Sequence, residues 1–120
     1  MKFKGTLIVV QDCDRALKFY SDMFGFRLVQ DNNGNMELTE GLYLQESGYF
    51  ESFTGKTVIP KNSHSELYFE EADIEEFIKK LEDLYPETEY VNRLIQHSWG
   101  QKVTRFYDPD GNLIEVGSPM

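Results

Sequence analysis

The sequence has a single cysteine, Cys13, which leaves no internal disulfide and no thiolate zinc cluster. Basic residues are scarce: 12 Lys and Arg stand against 21 Asp and Glu, for a formal net charge of -9 and a pI near 4.6. Such a field repels phosphate backbones and anionic membrane surfaces, which disfavours nucleic acid and membrane as partners, and neither is expected. The same charge serves solubility and would also draw in a cationic ligand. Long apolar runs are missing too. The opening run Leu7-Ile8-Val9-Val10 is closed at once by Gln11 and Asp12, too short for a signal-peptide core or a membrane span. The expected setting is the cytoplasm. What the chain does have is 120 residues with 40% apolar content, enough to bury the core of one compact domain.

The most informative stretch is Val103-Thr104-Arg105-Phe106-Tyr107-Asp108-Pro109-Asp110-Gly111-Asn112-Leu113-Ile114-Glu115-Val116. Pro109 presets φ, and Gly111 accepts the positive φ that the corner needs, so Asp-Pro-Asp-Gly predicts a turn. β-branched, aromatic and aliphatic residues flank it, which predicts a hairpin. Strand alternation puts Ile114 and Val116 on one face, with Leu113 and Glu115 on the other. A carboxylate on an enclosed face needs a partner, a proton or a metal. Glu115 is therefore the first candidate site residue.

Taken in order, residues 3–10 predict a strand, and Asp12 is placed to cap a helix through Phe24. Ala16, Phe19, Tyr20 and Met23 form its apolar stripe, and Gly25 stands where a helix-ending glycine belongs. Strands are expected over 26–30, 36–39 and 42–45. Residues 46–63 have no period and predict a connecting loop, with Tyr49, Phe50 and Phe53 as apolar anchors and a length that suits a lid or an interface. The pattern then repeats: a strand at 65–69, a helix from Asp73 to Leu84 stopped by Pro86, a strand at 89–95, and the hairpin. Asp73 and Glu76 have capping-box spacing, and Glu75–Lys79 and Glu76–Lys80 are i,i+4 pairs. Strand, helix and three strands thus occur twice.

Asp12-x-x-Arg15-Ala16-x-x-Phe19-Tyr20-x-x-x-Phe24-Gly25-Phe26, His64, and Asp108-Pro109-Asp110-Gly111-Asn112-x-x-Glu115 resemble the vicinal oxygen chelate superfamily. That superfamily includes glyoxalase I, extradiol dioxygenases and bleomycin-resistance proteins. The resemblance implies an α+β fold of two βαβββ modules whose curled mixed sheets enclose a cleft. The modules would span about 1–46 and 63–120, joined by a loop over 47–62. It also implies a small-molecule substrate or ligand, and a homodimer. Glyoxalase I draws one pair of metal ligands from each module. His64 and Glu115 match the second pair, while Gly5 and Tyr43 occupy the first. Glycine has no ligand atom, and a neutral tyrosine is a poor ligand for a divalent ion.

Two readings follow. The first is a glyoxalase-like, lactoylglutathione lyase-related enzyme with metal-assisted chemistry on a carbonyl or vicinal-oxygen substrate. His64, Glu115 and His97 would hold Zn, Ni, Fe or Mn, and Glu115 or His97 would shuttle the proton. Glu66, Gln45 or a partner chain could supply a third ligand instead of His97. The second reading is a non-catalytic binding protein of the bleomycin-resistance type, for an aromatic or cationic compound and without a cofactor. Trp99, Tyr43, Tyr68, Arg105 and Phe53 are the candidate substrate contacts. Trp99 would stack, and Arg105 would either clamp a carboxylate or pair with a glutamate on its own sheet. Glu66 and Tyr68 share the His64 face by alternation. Cys13 is read as structural.

Overall fold

A computed structural model describes all 120 residues. The chain forms two compact units, residues 1–59 and 60–120. Each carries one open, four-stranded mixed sheet, and the fold is α+β.

The first unit runs β1 (Thr6–Val10), α1 (Cys13–Phe24), β2 (Leu28–Asp31), β3 (Asn35–Leu38), β4 (Leu42–Glu46) and α2 (Ser47–Thr54). Its sheet order is β1-β4-β3-β2, parallel only between β1 and β4. Asp12 starts α1 as expected, its carboxylate accepting from the backbone N–H groups of Asp14 and Arg15. Ala16, Phe19, Tyr20 and Met23 are buried, as are Ile8, Val10, Leu42, Leu44, Met36 and Leu38 on one face of the sheet. The helix packs on β3 and β4. Leu7, Val9, Tyr43, Gln45 and Glu37 are left on the other face. β1 starts at Thr6, later than expected, and Gly5 before it has a φ of 142° and lies against the Gly41 backbone. A Cβ at Gly5 would stand 1.9 Å from the Gly41 carbonyl oxygen.

The expected loop after β4 opens instead as α2. Glu46 makes the helix start, its carboxylate accepting from the N–H groups of Gly48 and Tyr49, and Gly55 closes it. Glu51 then accepts from the Val58 N–H at 2.8 Å, which ties down the exit. No residue of α2 is buried. Helix-terminal bonds rather than an apolar stripe define it, so hydrophobic periodicity could not reveal it.

The second unit runs β5 (Leu67–Glu70), α3 (Ile74–Leu84), β6 (Tyr90–Gln96), β7 (Lys102–Tyr107) and β8 (Leu113–Gly117). The order β5-β8-β7-β6 repeats that of the first unit. Ile74, Phe77 and Leu81 of α3 are buried, and Phe77 lies 6.2 Å from Phe106 of β7. Asp73 precedes α3 without capping it through its side chain. Glu75 reaches Lys102 Nζ on β7 at 2.6 Å. Tyr90 Oη donates to Glu82 Oε2, and Arg93 Nη1 to the same oxygen at 2.9 Å, which ties β6 to α3. The β7–β8 turn is built as its residues dictate. Asp108 Oδ1 accepts from the backbone N–H groups of Asp110 and Asn112, each at 2.8 Å. No helix is long and apolar enough to cross a membrane.

Candidate functional site

Alternation directs Ile114 and Val116, both fully buried, to the helix side of the second sheet, so Glu115 faces the other way. Register then fixes its neighbours. Tyr68 on β5 pairs with Glu115 on β8, Glu115 with Arg105 on β7, and Arg105 with Asn92 on β6. Four polar side chains form one row across the sheet. Arg105 Nε donates to Glu115 Oε1 at 2.9 Å, and its Nη1 donates to Asn92 Oδ1 at 3.0 Å. Glu66, at the entry to β5, brings its Oε2 to 3.9 Å from Arg105 Nε. Burial, then the hydrogen bond and charge of Glu115, hold the Glu66 carboxyl above its ordinary range, with Arg105 acting in the opposite direction.

A second cluster closes one end of this face, in the β6–β7 turn. His97 and Trp99 stack with centroids 4.2 Å apart and planes 14° from parallel. Trp99 is 63% exposed, while its indole N–H donates to Gln101 Oε1 at 3.2 Å. Buried Gln101 in turn donates from Nε2 to Tyr68 Oη at 3.0 Å and to the Ser118 carbonyl at 3.1 Å. The end cluster is thereby joined to the polar row through Tyr68.

Of the candidates, Glu115, Arg105 and Tyr68 share the row, and Trp99 and His97 adjoin it through Gln101. His64 does not. β5 begins only at Leu67, and His64 lies exposed in the preceding loop with its backbone N–H bound to Asn62 Oδ1. Positive φ at Lys61 and Ser63 bends the chain on both sides of Asn62. β5 and β8 run parallel, with His64 before Tyr68 and the His97 turn near Gly117, so the two residues lie toward opposite ends of the strands, on either side of the Glu115 row. Tyr43 lies on β4 opposite Glu37, and Phe53 lies on α2, 71% exposed and stacked 6.0 Å from Tyr49. Both belong to the first unit. Burial, with Asp14 and other nearby carboxylates, pushes the Cys13 thiol up to about 11, which fits a structural role.

A divalent metal fits this donor set poorly. No three His, Cys, Asp or Glu side chains converge so as to hold one, and Glu115 already faces a guanidinium whose charge opposes a cation. Gly5 is required by the Gly41 backbone and offers no ligand. Sequence reasoning missed Asn92 and Gln101, whose roles come from cross-strand register and a tertiary hydrogen bond. Gly117 carried a signal: a Cβ there would stand 2.6 Å from Gln101 Nε2.

Twin βαβββ units, with a polar row across the sheet of the second, define a protein of the vicinal oxygen chelate type. The sequence profile of the glyoxalase-like domain matches residues 3–120, and the chain belongs to that family. Among solved structures it is similar to a protein of unknown function from Agrobacterium tumefaciens str. C58, at 30% identity and TM-score 0.77, covering 100% of this chain and 95% of that one. A glyoxalase/bleomycin resistance protein/dioxygenase superfamily member from Sphaerobacter thermophilus shares the fold at 22% identity and TM-score 0.70, covering 99% and 98%. A lactoylglutathione lyase from Agrobacterium tumefaciens does so at 21% identity and TM-score 0.71, covering 98% and 92%. No curated protein sequence matches the chain.

Proposed function

We propose that this protein is a small-molecule binding protein of the glyoxalase/bleomycin-resistance type, and that the open face of its second sheet receives the ligand. The observation that carries this reading is the Arg105–Glu115 contact at 2.9 Å. In place of a metal held by carboxylate and imidazole, the row presents a carboxylate already paired with a guanidinium. Such a row can orient a polar ligand and has no open coordination position. The half-exposed Tyr68 ring and the exposed indole of Trp99 supply apolar contact area beside it.

The competing reading is metal-assisted lyase or isomerase chemistry. It would need His64 or His97 brought beside Glu115 and the Arg105 contact exchanged for a metal bond. The lyase-named neighbour supports the fold alone.

Trp99 is the single tryptophan and reports on this face directly. Calorimetry and Trp99 fluorescence with a panel of neutral and cationic bicyclic aromatics should reveal saturable binding of one molecule per chain. Trp99→Ala should weaken it about tenfold. A panel that produces no saturable heat and no Trp99 response would remove the proposal.

A further inference from the structure

The orientation of one amide determines what Tyr68 can offer a ligand. An indole N–H can only donate, so the Gln101 atom 3.2 Å from Trp99 Nε1 is the oxygen. A backbone carbonyl can only accept, so the Gln101 atom 3.1 Å from the Ser118 oxygen is the nitrogen. Two obligate partners on opposite sides of the amide thus agree on its assignment. Nε2 has two protons: one goes to Ser118 and the other to Tyr68 Oη at 3.0 Å. The Tyr68 oxygen is therefore an acceptor toward Gln101, and its own proton must point elsewhere. The amide is held in place, since Gln101 is only 6% exposed and all three of its bonds are made within the unit. The space it occupies exists because residue 117 is glycine.

We infer that Tyr68 is the oriented hydrogen-bond donor of the ligand face, and that the compound it receives is an uncharged molecule with a carbonyl oxygen beside its planar body. Two features of the row select the acceptor. Tyr68 and Glu115 are register partners on one face of the sheet, so an anionic oxygen brought to the phenol would enter the field of that carboxylate. Arg105, the cation that could offset this, has its Nε on Glu115 and its Nη1 on Asn92. A neutral carbonyl avoids the charge clash and still accepts the phenolic proton. The inference rests on the ligand-face reading above and adds its polarity. Gln101 is a positioning residue, acting through Tyr68.

The test uses two probes of one shape, 1-indanone and its parent hydrocarbon indane, with the wild type and Tyr68→Phe, and reads affinities from chemical-shift titration of ¹⁵N-labelled protein. The affinity ratio of indanone to indane should fall about three- to tenfold in Tyr68→Phe, the value of one neutral hydrogen bond. Without any probe, one of the two Gln101 side-chain amide protons should shift in Tyr68→Phe while its twin, bound to Ser118, stays in place. An unchanged ratio, or two unmoved amide protons, overturns the donor assignment and leaves the ligand face standing. If neither probe binds the wild type, the ligand face itself fails, and the acceptor inference with it. The amide protons still report which way the Tyr68 hydroxyl points.

Discussion

Arg105 and Glu115 face one another in direct register across β7 and β8, and the guanidinium Nε donates to the carboxylate at 2.9 Å. The Glu115 side chain is 13% exposed and that of Arg105 is 30% exposed. The pair therefore lies between a surface ion pair, worth under about 1 kcal/mol, and a buried one whose disruption costs roughly 3–5 kcal/mol. Arg105→Met strands the carboxylate and should cost about 1–3 kcal/mol in urea unfolding at neutral pH. Glu115→Gln keeps an acceptor for Nε and should cost less. A double-mutant cycle should show the two changes coupled, whereas additive losses would mean that the contact contributes nothing.

Glu66 gives the row a pH dependence. Its folded carboxyl is raised above the ordinary 4.5 by burial and by Glu115, with Arg105 in opposition. The native state thus keeps a proton that the unfolded chain sheds. That contribution is fully present below pH 4.5 and is lost as pH rises through the raised value. Glu66→Gln cannot titrate. Urea midpoints between pH 4 and 7.5 should therefore show the wild type losing ground to Glu66→Gln as pH rises. A difference that is flat with pH, or runs the other way, contradicts the assignment.

α2 depends on the Glu46 cap, because none of its residues is buried. Glu46→Ala should fray the helix and destabilise the protein by about 1 kcal/mol. Amide hydrogen exchange should quicken at Gly48 and Tyr49, the two N–H groups that the carboxylate holds. Unchanged protection at both would show that the cap is dispensable.

Association should bury what each sheet leaves open. The outer strands β1, β2, β5 and β6 carry exposed apolar residues, among them Leu7, Leu28, Val29, Val91 and Ile95. Unpaired edges with apolar side chains favour pairing with a second copy. Light scattering at micromolar concentration should give twice the 14.0 kDa chain mass. A single-chain mass across that range would contradict a homodimer.

Local chemistry made some of this legible in the sequence. The Asp108 turn, the stripe of α1 and the facing of Glu115 each depend on residues within a few positions of one another, so pattern alone was enough. α2 was hidden because a glutamate caps it and no apolar stripe marks it. The position of His64 was hidden because alternation over 64–68 looks like a strand until Asn62 captures the His64 N–H and the chain bends. Glu66 with Arg105 and Glu115 was half legible: alternation placed the carboxylates on one face, but the bulged β6–β7 register that brings Asn92 to Arg105 is a tertiary fact. Gln101 had no signal nearer in the chain than Gly117, whose missing Cβ leaves room for its amide.

The central claim is that a guanidinium, and not a metal, satisfies Glu115. The most direct measurement is calorimetric titration of the metal-stripped protein with Zn²⁺, Ni²⁺ and Mn²⁺ at neutral pH. The account predicts no stoichiometric site for any of the three in the wild type. One ion bound per chain at micromolar affinity or tighter, and lost in both Glu115→Ala and His64→Ala, would contradict it.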